Sequence, residues 1–197
     1  MRSIKLAITT AGIAVLTGCA HPIVLTPNLE NISTVETSQT KINKSVGFYI
    51  DNQLLEKEMT TPGGGGDKVS YKPYRDIETG FYKVLSNVFA TVNKIKSPAD
   101  TTAISKYDIS LIITPTIYTD SSSPSPFTWP PTKFSTEINC KITDKSGSVI
   151  LETKVTGDGA AEFDEFKKDF SLSAKRSTED VLIKLQKALL AAPELRQ

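Results

Sequence analysis

Residues 133–157 read "KFSTEINCKITDKSGSVILETKVTG", and this stretch decides the fold. Phe134, Thr136, Ile138, Cys140 and Ile142 recur at every second position, so in an extended chain they share one face. "DKSG" (144–147) carries the Asp, Ser and Gly that tight turns use. "SVILETKVTG" then returns as a partner strand. The spacing predicts a long hairpin with one buried face. Cys140 lies on that face between Ile138 and Ile142. With no histidine or basic cluster beside it, it reads as a buried thiol and not a reactive one.

The pattern continues outward. "KYDISLIITPTIY" (106–118) places Tyr107, Ile109, Leu111 and Ile113 on one side of a further strand. Pro115 has no N–H to give a ladder, which puts that part of the strand at an edge or bulge. "YRDIETGFYKVLSNVFATV" (74–92) has Ile77, Phe81, Val84, Leu85, Val88 and Val92 at steps of three and four. That is one apolar helix face, with Pro73 near its start, where a missing N–H costs least. "STEDVLIKLQKALLAA" (177–192) repeats the pattern through Val181, Leu182, Leu185 and Leu189. Ser177, three residues before Asp180, resembles a cap, and Pro193 ends the helix. "VGFYI" (46–50) is the first β-type run. Residues 160–174 read both ways: Phe163, Phe166 and Phe170 fit a helix, while Phe170, Leu172 and Ala174 fit a strand. The order predicts an α+β fold, a mostly antiparallel sheet of four or five strands with two amphipathic helices on one face.

The first residues obey a different logic. Arg2 and Lys5 precede a short apolar run, Leu6–Leu16, which ends in Leu16-Thr17-Gly18-Cys19. A charged start, an apolar middle and small residues make an export signal over residues 1–18. The run is about half the ~20 residues a spanning helix needs. Its end resembles the lipobox of bacterial lipoproteins, in which the cysteine receives a diacylglyceryl group and becomes the N-terminus. That resemblance implies lipidation at Cys19, and Ala20 after it implies the outer membrane of a diderm. At ~0.8 kcal/mol per buried methylene, two or three palmitate-like chains hold firmly. Residues 19–45 are rich in Ser, Thr and Asn with weak periodicity and, apart from Ile23-Val24-Leu25, an exception that could add a short edge strand, read as a flexible tether. Its 26 residues after the cysteine would span roughly 25–30 Å as a coil. Residues 46–197 are then one globular domain.

Composition narrows the function. Without residues 1–18 the chain carries 21 basic and 22 acidic side chains, a balance that argues against a nucleic-acid partner. The four glycines of "TPGGGGDK" (61–68) lack the Gly-Lys-Ser/Thr ending of a phosphate loop. His21 is the lone histidine. It reads as a solvated tether residue, too far from any core element to serve a nucleophile. No clustered Cys and His suggest zinc, so no metal or cofactor is expected. Asp158, Glu162, Asp164 and Glu165 form a carboxylate cluster, read as a solvated face offset by Lys167 and Lys168. The most suggestive stretch is "SSSPSPFTWPP" (121–131). Phe127 and Trp129, bracketed by prolines, make candidate partner-binding anchors on a stiffened loop.

Taken together, the lipobox, "YKPYRDIETGFYKVL", "YDISLIITPTIY", the hairpin and the closing helix resemble the YajG-type outer-membrane lipoproteins. That resemblance carries no catalytic residue with it. The leading expectation from the residues is a non-enzymatic, periplasm-facing lipoprotein that presents the loops 119–133 and 51–73 to an envelope protein or glycan. One alternative is a lipid or glycolipid carrier with a cleft between helices and sheet. Another is a glycan hydrolase using Glu162 and Asp164.

Overall fold

A computed structural model describes residues 20–33, 40–62, 68–121 and 133–197. In chain order the elements are β1 (Ala20–Pro22), α1 (Leu29–Ser33), β2 (Ile42–Phe48), α2 (Asn52–Glu56), β3 (Met59–Pro62), β4 (Lys68–Tyr71), α3 (Pro73–Val88) and β5 (Phe89–Lys94). They continue with α4 (Thr101–Lys106), β6 (Leu111–Asp120), β7 (Lys133–Asp144), β8 (Val149–Ala160), α5 (Phe163–Phe166), α6 (Leu172–Ala191) and a 3-10 turn over Pro193–Arg196.

The hairpin is as the alternation predicts. β7 and β8 pair antiparallel from Lys133↔Ala160 to Thr143↔Val149. Phe134, Thr136, Ile138, Cys140 and Ile142 are all buried. Asp144 ties the turn, its carboxylate accepting from the Ser146 and Ser148 N–H groups, and Gly147 adopts φ +88°, where a side chain would be strained. Burial pushes the Cys140 thiol up to about 12.

Around the hairpin the sheet is mixed. Its order is β5-β2-β6-β7-β8. β2 runs parallel to both β5 and β6, while β6, β7 and β8 alternate. A second, three-stranded sheet runs β1-β4-β3. The α+β class and a five-stranded main sheet hold, and the small second sheet is an addition. The main sheet is mixed where a mostly antiparallel one is expected. β5 is the reason. Its residues Phe89–Val92 extend the apolar spacing of the preceding helix, so the sequence pattern carries that helix to 92. The chain leaves it at Val88 to pair with β2.

α3 and α6 pack on the same face of the large sheet. Ile77, Phe81, Val84, Leu85 and Val88 of α3 join Val181, Leu182, Leu185 and Leu189 of α6 in one core. α6 begins five residues before the expected cap. Ser177 lies inside it, fully buried, with Oγ within hydrogen-bond distance of both Thr136 Oγ1 (2.8 Å) and the Gly157 carbonyl (3.0 Å). Within residues 160–174, Ala160 closes β8, Phe163–Phe166 form α5, and α6 starts at Leu172, so Leu172 and Ala174 are helix and not strand.

The tether is also corrected. β1 runs parallel to β4 (Ala20↔Lys68, Pro22↔Ser70). Ile23, Leu25 and Ile32 are buried in the main core. The Val24 N–H donates to Ser171 Oγ (3.0 Å) and the Leu25 N–H to the Asp76 carboxylate (3.1 Å). The described residues 20–33 are thus part of the folded body, although the expected domain boundary is Val46. A few well-spaced apolar residues fix the segment although its mean composition is polar. His21 sits in β1 opposite Val69, half-buried, not solvated on a coil.

Candidate functional site

β6 changes neighbours along its length. β7 flanks it from Leu111 to Asp120. β2 pairs with it only from Leu111 to Ile113, and the Tyr49 N–H then donates to the Ile113 carbonyl (3.0 Å). Odd-numbered residues of β6 turn their backbone groups toward β2, so Pro115 has its nitrogen on the side β2 leaves open. Its edge placement is correct locally, although β6 lies in the middle of the sheet. The next backbone donor on that side, the Ile117 N–H, is buried and donates to the Tyr74 hydroxyl (3.0 Å). A proline and a tyrosine cap thus close this edge to strand addition.

Beyond the cap is a cleft of about 380 Å³, within the range of small-ligand sites. Leu54 and Lys57 line it from α2 and the residue after, Met59 from β3, Pro73 and Tyr74 from the start of α3, and Thr116–Thr119 from β6. Tyr118 stands at its mouth, 59% exposed. Hydrogen bonds join the two walls. Tyr71 Oη lies 2.9 Å from Thr119 Oγ1, and Thr61 bonds Ser121 through their hydroxyls. The Tyr71 ring meets Phe134 edge-on at 5.4 Å, and burial pushes its phenol up. The two segments singled out in the sequence, 51–73 and 119–133, therefore meet through their described residues. Phe127, Trp129 and Cys19 lie outside the described residues. Sequence reasoning missed Tyr74 because its role depends on where β2 ends, which no local pattern reports.

Tyr74→Phe keeps the ring and orphans the Ile117 N–H. We expect a loss of about 1–3 kcal/mol in urea unfolding. A change under a few tenths would mean that the cap carries no weight.

The carboxylates do not converge. The Glu162 side chain accepts from the backbone at the start of α5 in a capping box completed by Glu165. Asp164, 86% exposed, pairs with Lys167 at the surface. Glu165 receives a forked guanidinium from Arg176, at 2.9 and 2.8 Å. That donor pair, helped by the Glu162 N–H, holds its carboxyl down at about 2. The hydrolase reading needs a shared cleft and one raised carboxyl, and Glu162 and Asp164 supply neither. Among the described residues no group of three or more His, Cys, Asp or Glu could hold a metal ion.

Because the Glu165 carboxyl is depressed in the folded state, its contribution is complete above its ordinary value of 4.5 and fades as pH falls toward 2. Glu165→Gln should lower the urea midpoint by a constant amount above that window and by progressively less as pH falls through about 2. An unchanged gap across the range would reject the pairing.

No protein-family model matches the sequence, and no curated protein matches it. Among solved structures, a Xanthomonas campestris protein of the DUF330 family superposes with a TM-score of 0.50 at 11% identity, covering 87% of this chain and 90% of that one. A minor lipoprotein of Acinetobacter baumannii gives 0.42 at 9% identity over 76% and 94%. The PelC dodecamer subunit of Paraburkholderia phytofirmans gives 0.37 at 14% over 74% and 95%. The first of these shares the fold across nearly the whole of both chains.

Proposed function

We propose that this chain is a bacterial lipoprotein, acylated at Cys19 and held on the periplasmic side of an outer membrane, whose body binds and does not catalyse. The observation that carries this is Leu16-Thr17-Gly18-Cys19 directly after a short apolar run with a basic start. The narrower kinship with YajG-type lipoproteins belongs to the same proposal and rests on the sequence patterns.

The cleft beside Tyr74 is the proposed contact for an envelope protein or glycan. It is preformed, largely apolar and opens past an exposed tyrosine, a residue type that buries much area with few torsions to freeze. Phe127 and Trp129 join it as proposed anchors on the sequence argument alone. The carrier alternative would use this same cleft, between α2, the start of α3 and β6; it has no room at Gly157 and Gly159, where α6 packs backbone-close on β8.

A photo-crosslinking side chain at Tyr118 should capture one envelope component in cells, while the same group at Glu152, on β8, captures none. Equal capture from both positions, or none from Tyr118, rejects the cleft as the contact.

A further inference from the structure

Where the anchor meets the body fixes how the body sits. Cys19 is joined to Ala20 by one peptide bond, which sets their Cα atoms about 3.8 Å apart. Ala20 is already strand, paired with Lys68. No spacer stands between the proposed acyl group and the folded chain.

Strand register shows which end of the molecule this is. In the small sheet, Ala20 and Lys68 lie one step past Val69, whose partner is Thr61. Thr61 bonds Ser121, just beyond the end of β6, and Tyr71 bonds Thr119. Moving from Tyr71 toward Lys68 is therefore moving from Thr119 toward Ser121. Asp120 pairs with Ser135, and Lys133 pairs with Ala160. α5 begins three residues after Ala160, so it too belongs to this end. The opposite end is the turn at Asp144–Ser148, roughly 35 Å away along the twelve residues of β7.

This end carries an exposed aromatic. Phe163 is 63% exposed, and Lys167 lies over its ring with Nζ 4.4 Å from the centroid. Lys68 and Lys133 are exposed. An exposed aromatic ring with a lysine stem across it, and further lysines at the same end, suits the boundary between headgroups and acyl chains. Asp120, Asp158 and Asp164 are exposed at the same end, so net charge is not what draws it down.

We infer that the face formed by Ala20, Lys68, Lys133 and Phe163 rests on the lipid headgroups, with the hairpin turn at Lys145 directed away from the membrane. The inference rests on the proposed acylation of Cys19. It adds that the body is moored by this end, through β1, instead of swinging on a coil.

The test uses the mature acylated protein in vesicles of phosphatidylethanolamine and phosphatidylglycerol. Nitroxide labels are placed singly at Lys68→Cys, Phe163→Cys and Lys145→Cys. A nickel chelate carried on lipid headgroups should broaden the first two spectra at least several-fold more than the third. A water-soluble nickel complex should reverse the order. Acylated, vesicle-bound protein with all three labels alike overturns the seating and leaves the anchor intact. Protein that carries no acyl group and stays in the supernatant overturns the anchor, and the seating with it.

Discussion

Gly159→Val should prevent folding or cost more than about 4 kcal/mol, the range reserved for core overlaps that cannot relax. A Cβ built at Gly159 overlaps the Ser173 carbonyl oxygen and the Ser177 nitrogen of α6. One built at Gly157 overlaps Ser177 O and Val181 N. Both obstacles are helix backbone, which cannot swing aside as a side chain would. The small residues Ser173 and Ser177, one helical turn apart, face the two glycines and allow helix and strand to touch. Gly159→Ala supplies a graded version if the valine variant fails to accumulate. Thermal or urea unfolding of the alanine variant should show a loss of at least about 2 kcal/mol. A loss within 0.5 kcal/mol, the range of ordinary surface substitutions, would show that α6 does not lie this close to β8.

Leu25→Ala and Ile32→Ala should each cost about 2–5 kcal/mol, as truncations of fully buried aliphatic side chains do. Were residues 20–33 a loose tether, both would fall within about 0.5 kcal/mol of wild type. Urea midpoints separate the two cases cleanly. Leu25 also has its N–H on Asp76, whose half-buried carboxyl is raised chiefly by desolvation. The segment is thus held by packing and by a partly buried polar contact together.

These sites show what the sequence reveals. The hairpin was legible residue by residue, since period-two alternation from Phe134 to Ile142 fits only a strand with one buried face. The helical faces of α3 and α6 were legible for the same reason. Their ends were not. Phe89–Val92 continues the spacing of the helix before it, and only pairing with β2 makes it strand. Ser177 carries a cap's identity, yet its hydroxyl is used inside the core against Thr136 and Gly157. In residues 20–33 the apolar run Ile23-Val24-Leu25 stood out against a polar average, but its burial with Ile32 depends on packing against the main core. The cleft was half legible. Segments 51–73 and 119–133 stood out, but Tyr74 gains its role from the point where β2 stops, which is a property of tertiary register.

The central claim concerns the end of the mature chain. Mass spectrometry of the N-terminal peptide from membranes of cells expressing the full sequence tests it most directly. We expect a peptide starting at Cys19 and heavier by a diacylglyceryl group. An unmodified peptide beginning at any other residue, recovered from the soluble periplasmic fraction, would contradict it.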